Sequence, residues 1–520
     1  MICRTIFSKR KDLSFVKRLL NLHVDKPKRL KWIEPQGFKT NIYVYNSKIK
    51  CKVPLILNNK NIITWYMCGP TVYDSAHIGH ASTYVRFDII QRILNNYLDA
   101  DIICVIGVTD IDDKIIARSQ QSKQNWKELA NFYEEEFFCD MTSLNVSKPY
   151  LRCRVTEYIP EIVQFVNNIL SKEYAYVTKD GSVHFDSAKY AAANKLPFKE
   201  LTSHSDVKTA SDFVLWKARK EGEPSWKSPW GYGRPGWHIE CSTIASTVLG
   251  STIDLHSGGI DLAFPHHENE EIQSCSYHNV DQWVNYWLHT GHLRLKEDVK
   301  MSKSLHNTIS IQEFLTQYSA DQFRLCCLMS HYRKGIEYSH ESMELVISTL
   351  KKMESFIDDC KNYVSGKLNT GNIDEPSLLL CLSNARENID AALVDDFDTP
   401  KAIQEILNLI KVGNKMIHQS QNTVSSRNPV SVAAVSNYVT STLCKFGLHT
   451  SKREVTDNQK MLHLVDDIVH FRNSLRQKAL EADVKDKYLL NSCDEIRSIL
   501  AIRGIEIKDH KQSSTWSMKE

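Results

Sequence analysis

Two cysteines, a histidine and a glutamate have the types and local settings of metal ligands. Cys68 ends an apolar run, Cys241 follows a turn rich in glycine and proline, and His266 precedes Glu270 by four residues. A spacing of four places the last two side chains on one face of a helix. Two thiolates, an imidazole and a carboxylate match a tetrahedral zinc set. Spacing alone does not select these four, because a buried packing role suits each cysteine equally well.

Two further segments suit the phosphates of ATP. Residues 77–80 (His-Ile-Gly-His) follow a glycine turn at the start of a predicted helix, where free N–H groups and the helix dipole attract an anion. The lysine loop, residues 300–304 (Lys-Met-Ser-Lys-Ser), carries Lys300 and Lys303. A histidine pair alone is often structural, and a lysine loop alone is often only solvated. Together they can neutralise the charge that develops on the α-phosphate and on pyrophosphate, so the sequence predicts an ATP site.

The elements that must position these groups form an α/β pattern. Residues 62–66 predict a strand, a four-residue apolar repeat after Gly79 predicts a helix, and residues 101–108 predict a second strand. A strand, a helix and a strand in some fifty residues predict a βαβ unit and a parallel sheet. Polar, glycine-rich turns at the strand ends are where such sheets build their sites.

The remaining pattern divides the chain into an insertion, a second α/β half and a helical region. Residues 125–168 read as helical, and residues 174–185 predict a hairpin that turns at Asp180-Gly181 in a type I′ turn. Strands are predicted again at 252–256 and 287–290, so the sheet resumes after the insertion. From about residue 321 nearly all the sequence has helical periodicity.

Length and charge limit the kinds of protein that the chain can be. A chain of 520 residues has room for several domains, and no apolar run approaches the roughly 20 residues that span a bilayer. Residues 1–30 hold nine Lys or Arg against two Asp, a net charge of +7, which leaves −4 on the rest because the chain carries +3. This basic, acid-poor leader favours a mitochondrial transit peptide over a disordered basic arm. The scattered cysteines indicate a reducing compartment.

The motifs resemble those of class I aminoacyl-tRNA synthetases, and of the cysteinyl-tRNA synthetases in particular. The resemblance covers nearly everything after residue 30. The matching segments are residues 68–74, 77–80, 109–114, 234–242, 264–270, 300–304, 320–321, 332–333, 395–400 and 492–497, together with Trp516.

The resemblance implies a role for each matching residue. A zinc ion would contact the sulfur of the substrate cysteine, and because thiolate binds zinc far better than a hydroxyl does, no editing would be needed. The implied roles are zinc binding for Cys68, Cys241, His266 and Glu270; contact with the amino acid for Gly69, Thr109 and Trp237; contact with the adenylate for His256 and Asp261; and catalysis and ATP binding for His77, Gly79, His80, Lys300 and Lys303.

Two positions depart from the family pattern. Gly107 stands two before Thr109, where the family often has asparagine before its Thr-Asp pair, and Ser257 precedes Gly258-Gly259 in place of a third glycine. Both residues are small, so we expect a change only in the fine shape of the pocket. Variants of this kind resemble mitochondrial-type enzymes, in agreement with the basic leader.

The sequence thus predicts a cysteinyl-tRNA synthetase that uses ATP, with Mg²⁺, to join L-cysteine to tRNA(Cys) in the mitochondrial matrix, with the cytoplasm as the alternative. A cysteine ligase acting on an amino sugar and a tRNA-binding paralogue without catalysis are the rival functions; a monomer is favoured and no membrane association is expected. The predicted fold is α/β, with a Rossmann-type parallel sheet split by an insertion and followed by an all-α tRNA-binding region. Its predicted segments are 1–30 (transit peptide), 31–124 (first catalytic half), 125–221 (connective insertion), 222–335 (second catalytic half with the lysine loop), 336–450 (helical anticodon-binding-type bundle) and 451–520 (C-terminal helical segment and tail).

Overall fold

The computed structural model describes most of the chain after the basic leader. The described residues are 32–194, 208–209, 211–295, 299–300, 308–368, 373–418, 429–449, 457–481, 486–509 and 514–518. The predicted transit peptide and Lys303 lie outside them, and only the backbone of Lys300 is described. Among the helices of the described part, none combines the length and apolarity that crossing a bilayer requires.

The first part of the catalytic sheet is a βαβ unit, as predicted. Its strands are apolar on both faces because helices cover both faces of a parallel sheet, and Cys68 pairs with Gly107 on the neighbouring strand. The apolar stripe of the connecting helix, including Val85, Ile89 and Ile93, is buried. In chain order the elements are β1 (Phe38–Asn46), β2 (Cys51–Leu57), β3 (Ile62–Thr71), α1 (Ile78–Tyr97), β4 (Asp101–Thr109), α2 (Asp113–Ser122), α3 (Trp126–Ser143) and β5 (Leu151–Arg154).

The continuous helical reading of residues 125–168 is wrong. Strand β5 interrupts it and pairs in parallel with β4, so a strand of the central sheet lies inside the segment predicted as an insertion. The strand is four residues long and carries Arg152 and Arg154 at the edge of the sheet, where charged side chains are tolerated. Only Cys153 is buried there, which leaves no apolar run for a sequence pattern to detect.

An antiparallel sheet follows, with strand order β6-β7-β8-β10-β9. The predicted hairpin is confirmed as β6 and β7, but its connection is longer than a two-residue type I′ turn. Gly181 has a φ of +89°, and Thr178 and Asp180 hold the turn through hydrogen bonds to Ser182. The elements are α4 (Ile159–Ser171), β6 (Ala175–Val177), β7 (Val183–Phe185), α5 (Ser187–Ala193), β8 (Phe213–Ala218), β9 (Trp226–Ser228) and β10 (Gly231–Pro235).

The central sheet then resumes and is completed by two strands. Its order is β12-β11-β3-β4-β5, and every neighbouring pair is parallel. The elements of this part are α6 (Trp237–Leu249), β11 (Ile253–Gly259), a 3₁₀ turn (Ile260–Leu262), a π turn (Ala263–His267), α7 (Glu268–His278), β12 (Val284–Thr290), β13 (Leu293–Leu295), β14 (Val299–Lys300), α8 (Ile311–Gln317), α9 (Ala320–Leu328) and β15 (Ile336–Tyr338).

A helical bundle follows, which confirms the predicted helical region after the α/β part. Its amphipathic helices bury one stripe each; in α10 (His340–Val364) this stripe includes Met353, Phe356 and Tyr363. The other bundle helices described are α11 (Glu375–Val394), α12 (Thr399–Ile417) and α13 (Pro429–Lys445). By internal contacts the chain up to Leu448 forms one compact unit, which contains both the sheet and this bundle.

A second compact unit comprises His449–Glu520. It contains α14 (Asp457–Glu481), α15 (Lys487–Ile502), β16 (Ile505–Asp509) and β17 (Ser514–Met518). The two strands form an antiparallel hairpin in the part of the chain that was predicted as a tail after the helical segment. Its signal was present in the sequence, since Ile505 and Ile507 are buried and alternate with polar residues.

Candidate active site

Four predicted metal ligands meet near the carboxyl ends of the central strands. Cys68 lies on β3, Cys241 on α6, His266 in the π turn and Glu270 on α7. Their ligand atoms all lie within 4.8 Å of one another, and all four residues are buried. Residues far apart in the chain therefore form one compact donor set.

The distances within this set fit a single small ion. The Sγ atoms of Cys68 and Cys241 are 3.8 Å apart, and two sulfurs bound tetrahedrally to zinc at about 2.3 Å would be separated by about 3.8 Å. Oε1 of Glu270 lies 3.6 Å from the Cys68 sulfur and 3.0 Å from Nε2 of His266. Two soft sulfurs, one imidazole nitrogen and one carboxylate suit zinc better than they suit calcium or magnesium, which prefer all-oxygen sets.

The charges in the donor set also favour a cation. Burial and the neighbouring Cys241 raise the pKa of the Cys68 thiol, whereas the hydrogen bond from Cys68 lowers the pKa of Cys241 to about 6. Burial acts to raise the pKa of Glu270, but the charges of His256 and His266 outweigh it and lower the pKa to about 2. Burial acts to lower the pKa of His266, but Glu270 and Cys241 raise it to about 10. The shifts of Cys241 and Glu270 thus favour their anionic forms, which a bound cation would stabilise further.

Two further histidines contact the predicted ligands His266 and Glu270 and fix their orientation. Nδ1 of His238 lies 2.8 Å from Nδ1 of His266, and Nε2 of His256 lies 2.8 Å from Oε2 of Glu270. Such contacts fix the orientation of a ligand and tune its basicity. The sequence did not single out His238, although it lies three residues before Cys241 and so shares a helix face with that thiol.

His267 is a second residue that the sequence missed. Its Nε2 lies 3.4 Å from the Cys68 sulfur, and its Nδ1 lies 2.9 Å from Nε2 of His289. Cys68, His256 and His267 form another group with the spacing of metal ligands, which shares Cys68 with the first group. Its position next to His266 could have marked it as a candidate ligand, but sequence alone does not say which histidine of the pair faces which cysteine.

The residues predicted to contact the substrate amino acid lie around the same strand ends. A Cβ on Gly69 would lie 2.1 Å from the carbonyl oxygen of Gly107, so only glycine fits that close approach. Thr109 is buried and donates a hydrogen bond of 3.1 Å to Glu240, whose pKa burial raises well above its usual value. Trp237 opens α6 and is 40% exposed, as a residue at the wall of an open pocket would be.

The histidine signature caps the first turn of α1. Nδ1 of His77 accepts from the backbone N–H of Gly79 at 3.1 Å, and Nδ1 of His80 accepts from the N–H of His77 at 3.4 Å. The two rings stack with centroids 3.8 Å apart. Gly79 is required here because an added Cβ would lie 2.8 Å from the His77 ring. The imidazoles are therefore held at the positive end of the helix dipole.

The described residues on the two sides of the lysine loop are attached to different elements. On one side, Lys300 ends β14 and pairs with Arg294 of β13. On the other side, the carbonyl of Ile309 accepts from the N–H of Ile78 at 3.0 Å. The chain that leaves β14 therefore returns to the first residue of α1, although the loop itself lies outside the described residues.

The two residues expected around the adenylate occupy different settings. His256 is fully buried and contacts Glu270, behind the donor set. Asp261 lies in the 3₁₀ turn and is half-exposed, with Oδ1 3.3 Å from Nε2 of His292. The structure thus brings His256 to the donor set and leaves Asp261 near the surface.

The two departures from the family pattern have local structural reasons. The hydroxyl of Ser257 accepts a hydrogen bond of 2.7 Å from the indole N–H of Trp65, and both side chains are buried. An added Cβ on Gly107 would lie 1.9 Å from the hydroxyl oxygen of Tyr66. A serine and a glycine at these positions therefore accommodate two aromatic residues of β3.

Comparisons with known proteins identify the family of the chain. A protein-family model described as the class I (C) tRNA synthetase catalytic domain matches residues 55–348. The chain is 44% identical to a probable mitochondrial cysteine–tRNA ligase of Xenopus tropicalis, over 94% of this chain and 91% of the relative. It is 37% identical to a cytoplasmic cysteine–tRNA ligase of Dictyostelium discoideum, over 94% of this chain and 79% of the relative. The Mycobacterium tuberculosis methionyl-tRNA synthetase bound by methionyl-adenylate has a similar fold, with a TM-score of 0.54 at 14% identity over 73% of this chain and 89% of that one.

Proposed function

The chain belongs to the cysteinyl-tRNA synthetase family, as a class I enzyme that uses ATP to join an amino acid to tRNA, and from this premise we propose how its residues perform the reaction. In the first step a carboxylate oxygen of cysteine attacks the α-phosphate of ATP and pyrophosphate leaves. In the second step a hydroxyl of the terminal adenosine of tRNA(Cys) attacks the aminoacyl carbonyl and AMP leaves. The two rival functions, an amino-sugar ligase and an inactive paralogue, find no support among the relatives.

The observation that carries the proposal for substrate choice is the buried set of two thiols, one imidazole and one carboxylate. We propose that Cys68, Cys241, His266 and Glu270 bind zinc, which when bound offers a soft Lewis acid to the substrate thiolate. Serine, with a hard hydroxyl of high pKa, would gain little there, so discrimination follows from binding alone. His238 and His256 orient the His266 and Glu270 ligands.

The amino-acid backbone and ATP would be held by groups near the same strand ends. Gly69 allows the substrate to lie against the strand, Thr109 presents a hydroxyl fixed by Glu240, and Trp237 closes one side of the pocket. His77 and His80 bind the phosphates at the start of α1, while Lys300 and Lys303 neutralise the leaving pyrophosphate. Asp261 approaches the adenosine, and Mg²⁺ accompanies the ATP phosphates.

The helical part after the sheet is the proposed binding region for tRNA. We assign the predicted segment 336–450 and the C-terminal segment 451–520 to contacts with tRNA(Cys) outside its acceptor end. We propose a monomer as the active form.

A mitochondrial location is proposed for this chain. Residues 1–30 carry a net charge of +7 with interleaved apolar residues, and the Xenopus relative is named mitochondrial. The Dictyostelium relative is named cytoplasmic, so the leader is the feature that distinguishes the two locations.

Metal content and amino-acid choice test the zinc assignment together. The purified protein should contain about one zinc per chain and should exchange labelled pyrophosphate into ATP with cysteine but not with serine, and only when Mg²⁺ is present. Cys241→Ala should lose the zinc and the preference for cysteine. Cys153→Ala, which removes a buried thiol outside the donor set, is the matched control and should keep both. A Cys241→Ala protein with full zinc and full discrimination would contradict the assignment.

A further inference from the structure

The turn that joins α11 to α12 has an unusual backbone. Asp396 and Phe397 are consecutive non-glycine residues with φ of +62° and +55°, in the left-handed region that such residues rarely occupy. Both are fully buried. Strained backbone of this kind persists only where surrounding contacts fix it, and it often marks a functional position.

Hydrogen bonds to the carboxylate of Asp396 fix the turn. Oδ1 accepts from the backbone N–H of Tyr45 at 2.8 Å and from the hydroxyl of Tyr332 at 2.9 Å. Oδ2 accepts from Arg333 at 2.7 and 2.8 Å and lies 3.5 Å from Nε2 of His331. One buried side chain of the bundle therefore holds three successive residues of the segment that precedes β15.

That segment in turn contacts the helix that carries the histidine signature. The carbonyl of Tyr332 accepts from Nη1 of Arg86, on α1, at 3.1 Å, and from the N–H of Gly291 at 2.9 Å. Nη1 of Arg86 also donates to the carbonyl of Gly291 at 2.8 Å. An added Cβ on Gly291 would lie 2.3 Å from the backbone of Lys334, so the two segments are in direct contact.

The same segment leads to the lysine loop. Strand β15 pairs with β13, and β13 pairs with β14, whose last residue is Lys300. Tyr332 and Arg333 lie a few residues before β15, and Gly291 lies two residues before β13. Asp396 is thus connected through one short segment both to α1 and to the strand from which the lysine loop departs.

We propose that Asp396 is a positioning residue for the ATP step, which fixes residues 331–335 and through them the position of α1, the helix that begins at the histidine signature. It contacts no substrate. The residues proposed to bind zinc and cysteine lie on β3, β4, α6, α7 and the π turn, whereas the Asp396 carboxylate contacts β1 and residues 331–333. Loss of the carboxylate should therefore affect ATP and leave cysteine binding intact. The inference rests on the proposed ATP role of residues 77–80.

The test is the pyrophosphate-exchange kinetics of Asp396→Asn in the full chain, with ATP and cysteine varied separately. We expect the KM for ATP to rise roughly tenfold, within the range of coupling seen for indirect contacts, while the KM for cysteine and the zinc content stay within a factor of about two of the parent values. Asp395→Asn is the matched control. Asp395 is the adjacent acid, exposed and paired with Lys52 at 2.7 Å, and its replacement should change neither KM.

A merely structural role predicts a different result. If Asp396→Asn lowers kcat in proportion to the folded fraction with an unchanged KM for ATP, or raises both KM values equally, the proposal is overturned. Tyr332→Phe removes a single hydrogen bond to Asp396 and should raise the KM for ATP in the same direction by a smaller factor. If Asp396→Asn does not fold, an unchanged KM for ATP in Tyr332→Phe overturns the proposal. Lys303→Ala reports separately on the ATP assignment: full exchange activity in that variant would refute the lysine role itself.

Discussion

At the scale of residues, the adjacent histidines His266 and His267 contact different ligands. Nε2 of His266 faces Glu270 at 3.0 Å, while Nε2 of His267 faces the Cys68 sulfur at 3.4 Å. They differ because both lie in the same helical turn, where successive side chains point to different sides of the axis. Two overlapping donor groups result, and only the first contains both cysteines together with a carboxylate.

Gly107→Ala should destabilise the protein because its methyl group has no room. The added Cβ would lie 1.9 Å from the Tyr66 hydroxyl oxygen, and forcing a buried ring to move costs about 1–3 kcal/mol. The free energy of unfolding, measured from denaturant midpoints, should fall by that amount.

A double-mutant cycle identifies the cause of this loss. In a Tyr66→Phe background the hydroxyl is absent, so Gly107→Ala should cost less, with a coupling of roughly 0.5–3 kcal/mol. Equal costs in the two backgrounds would show that the clash with the hydroxyl is not responsible.

At the scale of elements, one carboxylate holds the C-terminal unit together. Asp509, at the end of β16, accepts from the fully buried Arg472 of α14 at 2.7 and 3.0 Å. It also accepts from Arg497 of α15, and from the Ser514 hydroxyl of β17 at 2.6 Å. Two helices and both strands of the hairpin therefore meet at a single side chain.

Asp509→Asn should destabilise this unit by roughly 3–5 kcal/mol, because it leaves the buried guanidinium of Arg472 without its anion. Hydrogen exchange of the amides in α14 and β16 should accelerate accordingly. Asp466→Asn is the matched control, since the 2.7 Å contact of Asp466 with the Trp516 indole is exposed, and its exchange pattern should stay near that of the parent.

The contribution of Asp509 should depend on pH in a defined direction. Hydrogen bonds from Arg472, opposed by burial and reinforced by Ser514 and Arg497, hold the pKa of this carboxyl far below its usual value. A depressed pKa stabilises the folded state above the unfolded-state pKa of about 3.9 and loses that effect as the pH falls below it. The stability difference between the parent and Asp509→Asn should thus be full at pH 7 and shrink below about pH 4. A difference that grows on acidification would contradict this account.

At the scale of the whole molecule, the catalytic sheet and the bundle share one compact unit, whereas the C-terminal residues form another. Each unit buries its own apolar cluster; in the second unit this cluster includes Val465, Val469 and Ile505. Arg324 links the two parts of the first unit. It is fully buried, and it donates hydrogen bonds to Asp88 of α1 and to the carbonyl of Phe446, which follows α13. The bundle is therefore built into the catalytic part through buried polar contacts.

The leader should direct the chain to mitochondria. Residues 1–30 fused to a fluorescent protein should colocalise with a matrix marker, because a basic amphipathic leader is what the import machinery recognises. A matched fusion with the nine Lys and Arg replaced by Gln should remain cytosolic. Cytosolic signal from the unmodified leader would contradict the proposed location.

Sequence alone determined the family, the α/β fold followed by a helical region, and the four residues that meet in the donor set. These follow from local signals: an apolar run for β3, apolar periodicity for α1, and long motifs such as residues 264–270. Signals of this kind survive in sequence because the constraint on each residue comes from its near neighbours.

Only the tertiary structure decided which side chains meet. It placed His256 behind Glu270, brought His238 and His267 into the cluster, and put β5 at the edge of the central sheet. It also gave Asp396 its place between the bundle and α1. These outcomes depend on contacts between residues distant in the chain, which are set by how helices and strands pack and leave no periodic trace in the sequence.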